Sequence, residues 1–131
     1  MVGGGGVKRT PLKRRHPGSA GAAAPLRARL SREFRHRVLA TGRCVMCGGG
    51  TRLHAHHIVR AQVMKRHGLP AETVYHPLAG IPVCERCHAQ HHAWAARIPR
   101  HLIRAESVTF LQACGLAGEF DREYPAEKEA A

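Results

Sequence analysis

Two stretches, Leu53-His54-Ala55-His56-His57-Ile58 and Cys84-Glu85-Arg86-Cys87-His88-Ala89-Gln90-His91-His92, decide how this chain of 131 residues is built. The second opens on a CxxC pair, and a matching pair, Cys44-Val45-Met46-Cys47, precedes it with 36 residues between Cys47 and Cys84. A CxxC turn presents two sulfurs to one ion, and zinc takes four thiolate or imidazole ligands in a tetrahedron. Cys44, Cys47, Cys84 and Cys87 therefore predict one closed, structural zinc held entirely by protein. A thioredoxin-like redox motif would need one such pair, and this chain has two. The fifth cysteine, Cys114, lies in an apolar helical pattern and is expected to be a core thiol.

Working outward, eight of the eleven histidines lie between His54 and His92. His88 and His92 stand four apart, so a helix puts them on one face, where they can grip one ion. The pair on the upstream segment, His56 and His57, lies on an expected strand (Arg52 to Val59). Successive side chains of a regular strand point to opposite faces, so a bend or a strand end must bring both to one site.

The rest of the chain sets limits. Its net charge is +12 and its sequence pI about 10.8, a surplus that favours a polyanionic partner. No apolar run approaches the roughly 20 residues of a membrane helix, and Met1 to Gly6 leads into a basic stretch without an apolar region. The expected setting is the cytoplasm, where disulfides are rare and CxxC pairs serve metals. Aromatics are 5% of residues, so the core is small and a metal staple is the expected supplement.

Residues 1–24 carry five Lys/Arg, no acid and almost nothing to bury, which predicts a disordered basic arm suited to phosphates. From Pro25 to Thr41, Leu26, Leu30, Phe34 and Val38 recur every fourth residue and Gly42 offers a stop, which predicts a helix. Arg27, Arg29, Arg32, Arg35 and Arg37 cover its other sides. A shorter helix is expected from Arg60 to His67, and a loop through Pro77, Gly80 and Pro82 into the second knuckle. A helix should start at that knuckle and run through Trp94. One or two short helices should follow Ile98, with Val108, Leu111 and Phe110 facing inward. Five of the nine carboxylates fall in the last thirteen residues, so 119–131 reads as an acidic tail after a domain spanning 25–118.

The carboxylates also narrow the chemistry. Between Phe34 and Cys84 the only one is Glu72, and Asp121 is the only aspartate in the chain. Two-metal nucleases clamp paired magnesium ions with several carboxylates, and zinc deaminases need an HxE segment; neither pattern is present. A one-metal site with imidazole ligands and a histidine base remains.

In combination, CxxC, His-His-Ile on a strand and CxxCHxxxH opening a helix resemble the HNH endonucleases of the His-Me finger (ββα-metal) group. The resemblance covers Cys44 to His92. KRTPLKRR upstream and Arg97-Ile98-Pro99 downstream also look like small phage-encoded members. It implies a small α+β, treble-clef-like domain: a strand–loop–strand–helix finger with flanking helices, lying against DNA. It implies His57 as the general base that activates water, and His56, His88 and His92 as ligands of a catalytic divalent metal (magnesium, manganese, nickel or zinc). The ion would stabilise charge on the scissile phosphate and the leaving 3′ oxygen, giving 5′-phosphate ends. The family's middle asparagine aligns with Ala79, and the chain has no asparagine at all; His76 is the polar candidate nearby.

DNA contacts are expected mainly at phosphates, from Arg52, Arg60, Lys65, Arg66 and Arg86 and from the basic arm. The alternative is a non-catalytic, zinc-stabilised module that binds nucleic acid through the same arginines. A membrane- or protein-associated adaptor has less in its favour, because no amphipathic apolar face accompanies the arm.

Overall fold

In the computed structural model, residues 23–126 are described; all but the last two residues of the expected basic arm at 1–24, and 127–131 of the expected acidic tail, lie outside them. The chain begins with helix α1 (Ala23–Val38), continues as a 3₁₀ turn at Leu39–Thr41, and stops at Gly42, whose φ of +71° suits glycine. Phe34 and Val38 are buried and Leu26 and Leu30 half-buried, so one stripe of α1 packs inward while its five arginines stay exposed.

The first CxxC turn follows, then strand β1 (Leu53–His57), helix α2 (Ala61–Arg66), the single turn α3 (Ala71–Val74) and strand β2 (Gly80–Cys84). The two strands pair antiparallel, with Leu53 opposite Cys84, His56 opposite Ile81 and His57 opposite Gly80. This register sets Leu53 beside the second knuckle and His56 and His57 toward the start of β2, and β2 feeds directly into helix α4 (Glu85–His92). Two further helices, α5 (Ala105–Ala113) and α6 (Ala117–Glu123), close the chain. The result is a mixed domain of helices around one small antiparallel sheet.

Gly80 is where α1 meets the sheet. A Cβ there would lie 2.5 Å from Cζ of Phe34 and 3.0 Å from Cγ2 of Val38, so only a bare backbone admits this contact. Ile58, Val59, Met64, Val74, Ile81, Val83, Leu111, Leu116, Phe120 and Tyr124 complete the core, all nearly inaccessible. Burial of each such side chain contributes about 1.5–3 kcal/mol.

Several boundaries differ from those the sequence suggests. The strand is shorter than Arg52 to Val59, because Arg52 has a φ of +52° and Val59 turns into the core. Helix α4 ends at His92, short of Trp94, whose φ is +59°. The acidic stretch is not a detached tail from residue 119. That boundary cuts α6, whose Phe120 and neighbouring Tyr124 are buried. Its carboxylates are consumed within the chain: Asp121 pairs with Arg100 at 3.0 Å, Glu123 with Arg97 at 3.7 Å, and Glu119 with Arg122 at 2.7 Å. Cys114 is only partly buried. No helix among the described residues is long and apolar enough to cross a membrane.

Candidate functional site

The two knuckles meet. Cys44, Cys47, Cys84 and Cys87 offer Sγ atoms that all lie within 4.8 Å of one another, a group that could hold one structural metal such as zinc. Cys47 Sγ and Cys84 Sγ are 3.8 Å apart, which is the edge of a tetrahedron with metal–sulfur bonds of about 2.3 Å. Backbone N–H groups donate to the sulfurs: Met46 to Cys44 at 3.3 Å, Gly49 to Cys47 at 3.4 Å and Cys87 to Cys84 at 3.5 Å. Such bonds favour thiolates and orient them. The first turn is tied to the sheet by Val45 N–H donating to Pro82 O at 3.0 Å.

The thiols differ sharply in acidity. Burial pushes Cys44 up, but the backbone hydrogen bonds around Cys47, Cys84 and Met46 outweigh it and bring the thiol down to about 7. Cys87 is pushed up to about 12 by burial, by hydrogen bonds from its neighbouring cysteines and by the charge on Cys44. One thiolate is accommodated readily and the last is resisted, as expected of like charges in one pocket that a divalent cation would neutralise.

The imidazoles form a second group. Alternation along β1 sends His54 and His56 to the same face, and α4 brings His88 and His92 up to them. One ring nitrogen from each of His56, His88 and His92 lies within 4.8 Å of the others. His88 Nε2 and His92 Nε2 are 3.0 Å apart, close to the edge of an octahedron with bonds of about 2.1 Å. His56 is buried, His88 half-buried and His92 exposed, so the cluster has a protein floor and an open side. These residues fit a divalent cation with open positions, as a catalytic site requires.

Each of two members is held from behind. His54 Nδ1 lies 3.1 Å from His88 Nδ1, leaving His88 Nε2 facing His92. Tyr124 Oη lies 3.1 Å from His56 Nε2, and both residues are buried. His91 has a different task. It is almost fully buried, its Nδ1 accepts from Ile98 N–H at 3.0 Å, and its ring stacks near that of Tyr124. The sequence argument assigned no role to His54, His91 or Tyr124. His54 could have been found from the period of two along the strand. Tyr124 had no local signal.

Burial, then the neighbouring His88, His91 and His92, hold His56 down to about 2. His91 is lowered to about 4, chiefly by burial and then by Arg97. His88 is lowered by burial and by His92 and His54. All three imidazoles are neutral near pH 7, the form that binds a metal.

His57 stands apart from this cluster. It stacks on Phe34 with ring centroids 4.4 Å apart, meets Tyr75 edge-on, and makes no ring contact with His88 or His92 among the described residues. Its Nε2–H donates to Val74 O at 2.8 Å. A carbonyl only accepts, so the ring proton sits on Nε2 and Nδ1 keeps its lone pair. Burial lowers its pKa, against the raising effect of the Val74 carbonyl.

The loop behind His57 is braced through its backbone. Ile58 N–H donates to Ala79 O at 2.9 Å, and Ala79 is fully buried. His76 accepts from Leu78 N–H at 3.0 Å, capping the 3₁₀ turn Pro77–Ala79, and stacks on Phe110.

Of the residues expected at phosphates, Arg52, Arg60, Lys65, Arg66 and Arg86 are all exposed. Arg52 also forms a solvent-exposed ion pair with Glu85 at 3.4 Å. Comparison with protein-family models, with curated proteins and with solved structures gave no match for this chain.

Proposed function

We propose that this protein is a metal-dependent DNA endonuclease of the HNH type, with β1, β2 and α4 as its ββα-metal finger and a structural zinc on the four cysteines. The convergence of His56, from β1, with His88 and His92, from α4, carries this reading. The order strand, strand, helix and the strongly basic chain support it.

A divalent cation on His56, His88 and His92 would supply positive charge for the scissile phosphate and the leaving 3′ oxygen. His57 is the base. Its Nδ1 lone pair takes a proton from water as the water oxygen bonds to phosphorus and the bond to the 3′ oxygen breaks. Products are a 5′ phosphate and, once the departing 3′ oxygen takes a proton from solvent water, a 3′ hydroxyl. The Val74 carbonyl fixes the tautomer this step requires, and stacking on Phe34 fixes the ring plane. Arg60, Lys65, Arg66 and Arg86 hold the duplex by its phosphates, which sets position without reading bases.

The second reading, a non-catalytic zinc-stabilised binder, is favoured by Ala79 standing at the asparagine's place. The two separate on plasmid DNA incubated with magnesium, manganese, nickel or zinc, beside His57→Ala. The nuclease reading expects cutting that falls about 10²- to 10⁴-fold in the variant. Equal cutting by both removes His57 as the base, and retention of plasmid without cutting by either leaves the binder.

A further inference from the structure

Helix α4 ends in an unusual way. Ala95 N–H donates back to Gln90 O at 2.9 Å and Trp94 N–H to His91 O at 3.1 Å, the paired bonds of a Schellman cap. The residue in the left-handed position of that cap is normally glycine; here it is Trp94, with a φ of +59°. A bulky residue held in that region is strained, and such strain gathers at binding sites. Glycine would end the helix with less strain, so the cap alone does not explain the indole.

The indole is also not placed for packing. Trp94 is 67% exposed and is the one large apolar side chain so exposed among the described residues. Its ring lies over the Arg97 guanidinium, 3.8 Å from centroid to Cζ. Arg97 is itself fixed, donating to His91 O at 2.9 Å and Glu123 O at 3.0 Å. The guanidinium thus backs the indole from a rigid mount. This platform stands two residues beyond His92, at the end of the helix that carries His88 and His92.

We propose that Trp94, backed by Arg97, is a stacking site for an unpaired base of single-stranded or locally melted nucleic acid beside the imidazole centre. This rests on the nucleic-acid reading above and adds a preference within it. A protein partner would need a broad exposed apolar patch, whereas the cleft beside Trp94 is lined by Arg97, Arg100 and His101 as well as by Ile98 and Pro99, and no other large apolar side chain is exposed among the described residues. A base needs only one flat face, and stacking on an aromatic is indifferent to sequence. The chain's +12 charge favours a polyanionic partner.

Because Trp94 is the only tryptophan, its fluorescence reports on this site directly. Full-length protein, loaded with zinc and without other added divalent ions, is titrated with an unlabelled oligothymidylate and with a duplex of the same length. Binding is followed separately by anisotropy of end-labelled strands. The proposal expects quenching that saturates together with single-strand binding, and weaker quenching by the duplex. Trp94→Gly, which relieves the backbone strain and so keeps the fold, should lose roughly 5- to 150-fold in single-strand affinity, the range of one base–aromatic stack. Its duplex affinity should change less. Single-strand binding without quenching, or with equal affinity in Trp94→Gly, overturns the stacking site and leaves the nucleic-acid reading intact. Absence of binding to either strand form at low salt overturns both.

Discussion

The sulfur cluster and the imidazole cluster share α4, where Cys87 and His88 are consecutive, yet they differ in almost every physical respect. Cys84 caps the start of the helix, accepting from Cys87 N–H, and its four-thiol group is complete within the protein. The imidazole group takes three ligands from two elements, grades from buried His56 to exposed His92, and keeps a side open. A closed donor set consumes its ion's coordination and yields stability; an incomplete one leaves positions for a substrate. The contrast separates a part that holds the fold from a part that can act.

The sharpest way to break this comparison is to remove one member from each side. Cys84→Ser should unfold the domain, since a structural zinc of this kind contributes on the order of 10–16 kcal/mol. Loss of the circular-dichroism signal and of one bound zinc per chain checks it. A folded, zinc-free variant would show that the thiols are not the staple. His92→Ala should do the reverse: native spectra, with cleavage reduced at least about 100-fold, as loss of a first ligand requires.

Acid tests the imidazole cluster next. His91 is held at about 4 and His56 at about 2, both below the unfolded value of 6.5. Above pH 6.5 neither state of the chain is protonated there, and stability is complete. Below it, the unfolded chain binds protons that the folded chain refuses. Stability should therefore fall by about 1.4 kcal/mol per pH unit for each histidine as pH drops from 6.5 toward 4. Denaturant midpoints measured across that window check it, and a flat profile would contradict neutral burial.

Finer substitutions sharpen the contrast. Tyr124→Phe removes the hydroxyl 3.1 Å from His56 Nε2 while keeping the buried ring. It should weaken metal binding at the imidazoles by about 10- to 100-fold, read by cobalt titration, and leave the thiolate-bound zinc untouched. The smallest effect belongs to the exposed charges. Arg86→Ala should lower the salt slope of DNA binding by about one, with equal loss on all sequences; an unchanged slope would place Arg86 away from the phosphates.

What was legible in the sequence was local. CxxC turns and the i, i+4 spacing of His88 and His92 need no long-range knowledge, because the turn and the helix themselves bring those atoms together. The pairing of β1 with β2 followed only in outline, since register depends on packing against Phe34 at Gly80. Tyr124 was hidden because it reaches His56 across 68 positions, and because the surrounding carboxylates suggested solvent. Those carboxylates instead meet Arg97, Arg100 and Arg122. The absence of asparagine was legible, but the bracing behind His57 was not: the Ile58–Ala79 bond is made by backbone and leaves no mark in side-chain identity.

One helix of eight residues joins both clusters, fastened at its start by Cys84 and Cys87 and carrying His88 and His92 one turn apart. Mutation therefore meets the two clusters unequally. On the nuclease reading, a codon change at a cysteine threatens the whole molecule, whereas one at His92 leaves a sound, basic scaffold without chemistry. On the proposed reading, cleavage could therefore be lost in one substitution while the basic, zinc-held body keeps its fold.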